Sequence, residues 1–409
     1  MMKKIIYSSV VLSTILFGAA YKIPEQSVNS MALGAAYVAH TSGADSAYFN
    51  PAAMSFMGDK QYVEGGLTLA HLPSIKYTSS VSSTYDGKSK VENIAIPNFH
   101  YVSNPYGEWR WGVSMTTPAG LSKRWDSPYQ KLYAQEFTLR NVELNPVVSY
   151  KVNDNFSVAG GVRIVYSEGK VYSDGSDAGY PLKREMEGDT VEFGYNLALL
   201  YKAPQDINFA VTYRSNIDLD EEGDANLYLG DIGKQYSSDV SIPIPAALNI
   251  AISKTWNDTF TLEFVYERTF WSEYKNLDFN YSPDVTNPTL KSAFDDAIDK
   301  SWKDTDTFRI GATYKIDRLT LMCGFAIDET PIPDKTIGFE LPDSDAKIYS
   351  LGFRYQQTPA LSWGMAVLYD DKESRTIPAG VADNQIIKLG GEFSDGGAIL
   401  TTIGMSYEF

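Results

Sequence analysis

Five basic residues, Arg163, Arg214, Arg309, Lys315 and Arg354, and four acidic ones, Glu143, Glu192, Glu263 and Glu267, share one property. Each falls on the polar phase of a segment whose alternate residues are apolar. A guanidinium or ammonium there pairs with a carboxylate, either one carried by the chain or the acid head group of a ligand. Most of these cations are expected to pair with the four acids, and Arg163, Arg309 and Lys315 are the candidates for touching a ligand. The residue types used in catalysis give less. His40, His71 and His100 lack the spacing of a metal site, and Cys323, the one cysteine, has no partner for a disulfide and no ligand cluster around it. No GxSxG elbow, HExxH pair or phosphate loop occurs. Neither an enzyme nor a metal or cofactor is therefore expected.

The elements that carry these charges alternate with a period of two. From Phe156 the residues Phe156, Val158, Val162, Ile164 and Tyr166 form one row, and Ser157, Ala159, Arg163 and Ser167 form the other. The same split recurs from Val142 to Lys151, from Phe193 to Tyr213, from Leu248 to Tyr266, from Phe308 to Ile327 and from Tyr349 to Tyr369. A soluble sandwich also alternates, with its apolar face inward. Three features favour a membrane barrel instead. The strands run to about 10 residues or more, as a tilted spanning strand requires. Short turns alternate with long polar loops, and Tyr, Phe and Trp end the apolar rows, where amphipathic rings meet headgroups. The 28 Tyr and 7 Trp exceed the needs of an acidic soluble protein and suit such girdles.

About six short turns are legible, near Asn104-Pro105, Asp154, Pro204, Asn257, Asp317 and Thr358. With both termini on the turn side they imply an all-β, antiparallel transmembrane barrel of about 14 strands. The last row, Ile399 to the terminal Phe409, closes it, because lipid cannot satisfy an open strand edge. Two segments are expected to be polar loops, Gly169 to Gly188 and Ser215 to Ser238. The second holds the acidic cluster Asp218, Asp220, Glu221, Glu222 and Asp224, read as a solvated face. Leu290, Phe294, Ile298 and Trp302, four residues apart, predict a short amphipathic helix on the rim.

Residues 1–20 read as an export signal: Lys3 and Lys4, an apolar run from Ile5 to Phe17, then Gly18-Ala19-Ala20 before a cut at Tyr21. The formal charge of −16 becomes −18 once those two lysines are removed, which excludes nucleic acid as a partner. Residues 21–58 are rich in Ala, Gly and Ser and poor in charge, so their backbone can lie close against surrounding walls. They are expected to form a partly helical hatch, or plug, inside the lumen, with residues 59–409 as the barrel. Asn50-Pro51-Ala52 ends the plug in a chain reversal, because Pro51 has no N–H and pushes Asn50 out of the helical region. Pro118, Ala119 and Gly120, after the row Trp109, Trp111, Val113 and Met115, should interrupt wall pairing.

Several separated blocks carry a family resemblance. Glu25-Gln26-Ser27, Leu33-Gly34, Ala36-Tyr37, Ala44-Asp45 and Asn50-Pro51-Ala52 resemble the N-terminal hatch of the outer-membrane long-chain fatty acid and aromatic hydrocarbon transporters of the FadL/TodX type (OMPP1). Phe270-Trp271-Ser272, Trp302-Lys303-Asp304-Thr305, Asp328-Glu329-Thr330-Pro331 and Leu341-Pro342-Asp343-Ser344-Asp345 resemble later blocks in the same order. The resemblance implies passive transport of hydrophobic molecules across the bacterial outer membrane, with a gate at Asn50-Pro51-Ala52 near an interrupted wall strand. It also implies a kink in the third strand, at Gly120, through which ligand leaves sideways into the bilayer. Expected partners are the hydrophobic ligand, the bilayer with its lipopolysaccharide, and the barrel assembly machinery that reads a terminal Phe, with one chain per barrel. After Val165-Tyr166, where the family's best-studied transporter has a basic residue, this chain has Glu168. That leaves neutral hydrocarbons open beside fatty acids. The competing classes are a barrel lipase or acyltransferase, which needs Ser and His side by side on adjacent strands, and an adhesion or structural barrel. None of the three histidines reads as lying in a strand beside such a serine.

Overall fold

The structure, a computed structural model, describes residues 20–382 and 390–409. Most of the export-signal reading falls on residues 1–19, outside the described residues. Fourteen antiparallel strands close into a barrel. They are β1 (Tyr62–Leu72), β2 (Glu92–Val102), β3 (Trp109–Thr116, resuming as Gly120–Arg124), β4 (Glu136–Lys151), β5 (Phe156–Asp174), β6 (Leu182–Ala203) and β7 (Ile207–Arg214, resuming as Ile217–Leu229). The second half comprises β8 (Ile232–Ile244, resuming as Ala246–Trp256), β9 (Phe260–Phe270), β10 (Thr305–Ile316), β11 (Leu319–Asp328), β12 (Ala346–Gln356), β13 (Leu361–Lys372) and β14 (Ala398–Glu408). Closure is made by β1, which pairs with β14 from Tyr62↔Glu408 to His71↔Ile399 while its other edge holds β2.

Side-chain phase follows from the solvent each face meets. Leu351 and Phe193 are 66% and 64% exposed on the outer face, whereas Ser157, Glu143 and Arg163 are 0–1% exposed inside. The apolar rows therefore point outward and the polar rows inward, the reverse of a water-soluble core. Cys323 belongs to the outward row of β11. The short turns use residues that tolerate a left-handed backbone: Gln205 and Asp206, Asn257 and Asp258, and Asp317 all have φ between 50° and 66°.

Three readings of the sequence change. Gly169 to Gly188 and Ser215 to Ser238 are largely strand: β5 and β6 run for 19 and 22 residues, and β7 and β8 continue as a ladder from Ile217↔Ile244 to Leu229↔Ile232. Beyond the bilayer both faces of a hairpin can be polar, so no hydrophobic contrast marks these extensions. The acidic cluster accordingly splits. Asp218, Asp220, Glu222 and Asp224 are exposed, while Glu221 turns inward and accepts a hydrogen bond from Ser167 at 2.6 Å. The rim helix is α3 (Pro288–Phe294), shorter than its periodicity suggested; Ile298 instead pairs in a two-residue strand with Leu277.

Inside the barrel lie α1 (Val28–Ala32), α2 (Ser46–Phe49) and a 3-10 turn from Pro51 to Phe56. Ser27 caps α1 in a reciprocal box with Ser30. The helix then ends at Gly34 and Ala35, both at φ near 60°. Glycines on the inner face let it approach the wall closely: a Cβ on Gly324 would stand 2.1 Å from the Leu33 carbonyl carbon. Above the lumen the outer loops pack around Phe339, whose ring lies 5.0–5.7 Å from those of Tyr77, Trp125, Tyr129, Tyr133 and Phe393.

Candidate functional site

The plug is held by the polar rows that face it. Glu263 accepts the Val38 and Ala39 amides at 2.6 and 2.7 Å, Ser350 donates to the Ala32 carbonyl at 3.0 Å, and Arg354 donates to Asn29 at 3.0 Å. Arg110 donates to the carbonyls of Ser103, Met54, Met57 and Gly58 at 2.7–3.1 Å, fixing the end of the plug to the periplasmic rim. Asn50 donates to the Val38 carbonyl at 2.9 Å and caps the 3-10 turn through Ala52 N, with Pro51 as the first residue of that turn. Ala52 accepts from Ser157 at 2.8 Å. This motif packs on β4, β5, β6 and the lower part of β3, below the interruption of that strand.

The predicted cations fare unequally. Arg163 is spent on Glu143 at 2.9 Å and the Ser215 carbonyl at 2.6 Å, and Arg309 on Glu267 at 3.2 Å and the Gly34 carbonyl at 3.1 Å. Both are buried in pairs. Lys315 keeps the inward phase but lies exposed at the last turn of β10, at the periplasmic mouth. Glu168 turns outward, in phase with Tyr166, and so does not bear on the lumen. The free valence belongs to Arg214, whose Nη1 has no hydrogen-bond partner among the described residues. It lines a cavity of about 60 Å³ beside Tyr48, Phe49 and Pro51 of the plug. Sequence placed Arg214 in the lumen but not apart from the others, because only the fold shows that Glu143 is shared by two guanidinium groups.

A larger cavity of about 580 Å³ opens in the outer loops, lined by the rings of Tyr133, Phe137, Phe279 and Phe294 and also by Asp296, Asp299 and Glu340. Arg184 is its buried cation. The guanidinium sits 4.4 Å and 5.2 Å from the Phe279 and Phe294 ring centres, and its Nε has no hydrogen-bond partner among the described residues. No signal in the sequence separates Arg184 from other loop residues.

The wall itself is incomplete. β2 pairs with β1 along its whole length but with β3 only from Val102↔Gly112 to Phe99↔Met115. Above that rung Glu92 to Asn98 have no strand partner on the β3 side among the described residues, a gap of about 20 Å along the strand. Pro118 cannot donate, and the strand resumes at Gly120 paired with β4 alone. The top of the gap is closed by Lys90 N to the Arg124 carbonyl at 2.8 Å and by the Arg124–Glu92 ion pair at 2.5 Å. It is a framed window. On its inner side the chain from Tyr21 to Gln26 lies along the break, with Ile23 N to Pro118 O and Gly120 N to Tyr21 O both at 2.8 Å.

His100 corrects one expectation. It stands on β2 opposite Ser114 of β3, with Nδ1 3.0 Å from the hydroxyl. Its Nε2 lies 2.9 Å from the Gln26 carbonyl, which can only accept, so both ring nitrogens are engaged and no face is open to a substrate.

In the plug, burial pushes the His40 imidazole down to about 4, and Lys315 and Lys202 push the same way. An unfolded histidine titrates near ~6.5. Between about 4 and ~6.5 the folded chain therefore binds fewer protons than the unfolded one, and stability falls as pH drops through that window. His40→Gln is expected to remove this part of the acid sensitivity. Thermal unfolding at about pH 7.5 and about pH 4.5 checks it: the wild type should lose more between the two than the variant.

A closed barrel with an apolar outer belt, a plug bonded into its lumen and a framed gap in its wall defines an outer-membrane transport barrel. The chain matches the family model described as outer membrane protein transport protein (OMPP1/FadL/TodX) over residues 9–409, and it belongs to that family. It is 24% identical over 426 residues to the long-chain fatty acid transport protein of Escherichia coli (strain K12), covering 90% of this chain and 91% of the relative. Among solved structures it is similar to a Pseudomonas aeruginosa FadL homologue, with a TM-score of 0.82 at 20% identity over 96% of this chain and 99% of that one. It is also similar to the toluene transporter TodX of P. putida, with 0.73 at 19% over 94% and 98%. The family consists of transport channels, not enzymes, and its members are outer-membrane proteins.

Proposed function

We propose that this protein admits long-chain fatty acids from outside the cell, passes them into the lumen above the plug, and releases them sideways into the bilayer through the window between β2 and β3. The observation that carries the reading is the ladder that stops at Phe99↔Met115. In lipid an unpaired edge is costly, and here it is kept open by Pro118, Ala119 and Gly120. Sideways release suits an acyl chain, which gains about 0.8 kcal/mol per CH₂ by staying out of water. Two cavities of mixed lining each offer, among the described residues, one guanidinium with an unused N–H, Arg184 outside and Arg214 within, which supports a carboxylate-bearing ligand. Asn50, Pro51 and Ala52 act as the brace of the plug; Arg163 and Arg309 hold the lumen's charges in place. The exposed apolar belt supports contact with the bilayer and lipopolysaccharide by a single chain, and the terminal Phe409 supports handling by the barrel assembly machinery.

The test is to return N–H and side chains to the break, with Pro118→Thr and Gly120→Val together. Uptake of labelled palmitate by cells expressing the variant is expected to fall by about tenfold, the equivalent of ~1.4 kcal/mol on the exit step. Surface level and heat-modifiable mobility should not change. Unaltered uptake would sink the proposal.

A further inference from the structure

We propose that Gln26 sets the width of the window, and with it the girth of molecule the wall lets through; this rests on the window being the exit. Gln26 is 1% exposed and stands where β2 and β3 part. Its main-chain carbonyl lies 2.9 Å from His100 Nε2 on β2, one residue from the last rung. Its side-chain amide spans the backbone of Thr117 on β3: Nε2 donates to the Thr117 carbonyl at 2.7 Å, and Oε1 accepts from Thr117 N at 3.0 Å. One residue of the plug thus joins the two diverging strands and replaces a missing rung of the ladder.

The geometry leaves Thr117 no substitute. The next residue is Pro118, which has no N–H, and the facing residues of β2 above Phe99 make no pairs with β3. Ser114 holds His100 from its other ring nitrogen at 3.0 Å, so the β2 end of the stitch is itself fixed. Removing the amide frees Thr117 at the bottom of the gap, while the bonds from Ile23 N to the Pro118 carbonyl and from Gly120 N to the Tyr21 carbonyl still hold β3 higher up and the frame at Lys90, Arg124 and Glu92 stays in place. The window then widens at its lower edge and does not fall open. A linear acyl chain already fits; a fused-ring hydrocarbon gains most.

The experiment measures uptake of two probes, palmitate and pyrene, by cells that lack other long-chain transporters and express the full chain as wild type, Gln26→Ala or Gln26→Glu. The pyrene-to-palmitate ratio is expected to rise by about fivefold to tenfold in Gln26→Ala, the change that loss of one net hydrogen bond on the strand edge corresponds to. It should rise less in Gln26→Glu, which keeps the acceptor for Thr117 N. A purely structural role would lower both probes together and leave the ratio unchanged, and that result overturns the proposal. An unchanged ratio in Gln26→Glu overturns it as well if Gln26→Ala fails to reach the membrane. A wild type that moves neither probe would remove the transport reading itself, and this inference with it.

Discussion

Replacing Glu143 with alanine is expected to destabilise the barrel by about 3–5 kcal/mol, because it leaves two guanidinium groups buried beside each other without their carboxylate. Glu143 is fully buried on β4 and shared by Arg163, at 2.9 Å, and Arg214. Arg163 is 1% exposed, so no water can take the place of the lost acid. The Ser215 carbonyl stays within 2.6 Å of Arg163 but carries no full charge. The temperature at which the compact band converts to the slow band on gels measures the loss. Glu143→Ala with Arg163→Met should recover part of it, since the second change removes a stranded charge from the same network. A single variant within about 1 kcal/mol of wild type would show that the lumen is wetter than the geometry implies. Arg214 would then be no more available to a ligand than any solvated cation.

Gly324→Val is expected to unseat the plug. Even the Cβ of an alanine would stand 2.1 and 2.2 Å from the carbonyl carbon and oxygen of Leu33, and 2.6 Å from Gly34 N. These are backbone atoms at the end of α1, so no side-chain rotation relieves the contact, and overpacking of this kind costs about 1–3 kcal/mol or more. The wall is a continuous ladder at this height, from Phe308↔Ile327 on one side to Asp328↔Ala346 on the other, while α1 is one turn held mainly by Arg354, Ser350 and Arg309. The weaker partner moves. Cells carrying Gly324→Val should become permeable to large hydrophilic antibiotics, and the purified protein should show a steady conductance in planar bilayers that the wild type lacks. Gly324→Ala should do so to a smaller extent. A variant that stays closed and equally stable would mean that α1 is free to slide along the wall, and the plug would no longer be a fixed stopper.

The two experiments separate the contributions of wall and plug to one lumen. Glu143 belongs to a network that spans β4, β5 and β7 and stabilises the cylinder. Gly324 affects only how closely the plug is seated. Loss of the first should lower the unfolding temperature with little leakage, and loss of the second should cause leakage with a smaller fall in unfolding temperature.

Strand number and the direction each face looks follow from the chain alone. Period-two contrast between Val158 or Tyr166 and Ser157 or Arg163 exists wherever lipid lies on one side, and the turns at Asn257-Asp258 and Asp317 need residues that accept a left-handed backbone. The same reasoning fails above the bilayer, where water on both sides removes the contrast; hence the outer parts of β5 to β8 read as loops. The interruption at Pro118-Ala119-Gly120 is also local, since a missing N–H is a property of one residue.

What spans the interruption is not local. Gln26 lies 91 residues from Thr117 and 74 from His100, and no spacing rule connects them. Which guanidinium is left unpaired is decided in the same way, by which strands the closure brings around Glu143. A period in sequence reports the solvent on each side of a strand, whereas the partner of a buried polar group is set by the path of the whole cylinder, and only the folded chain contains that.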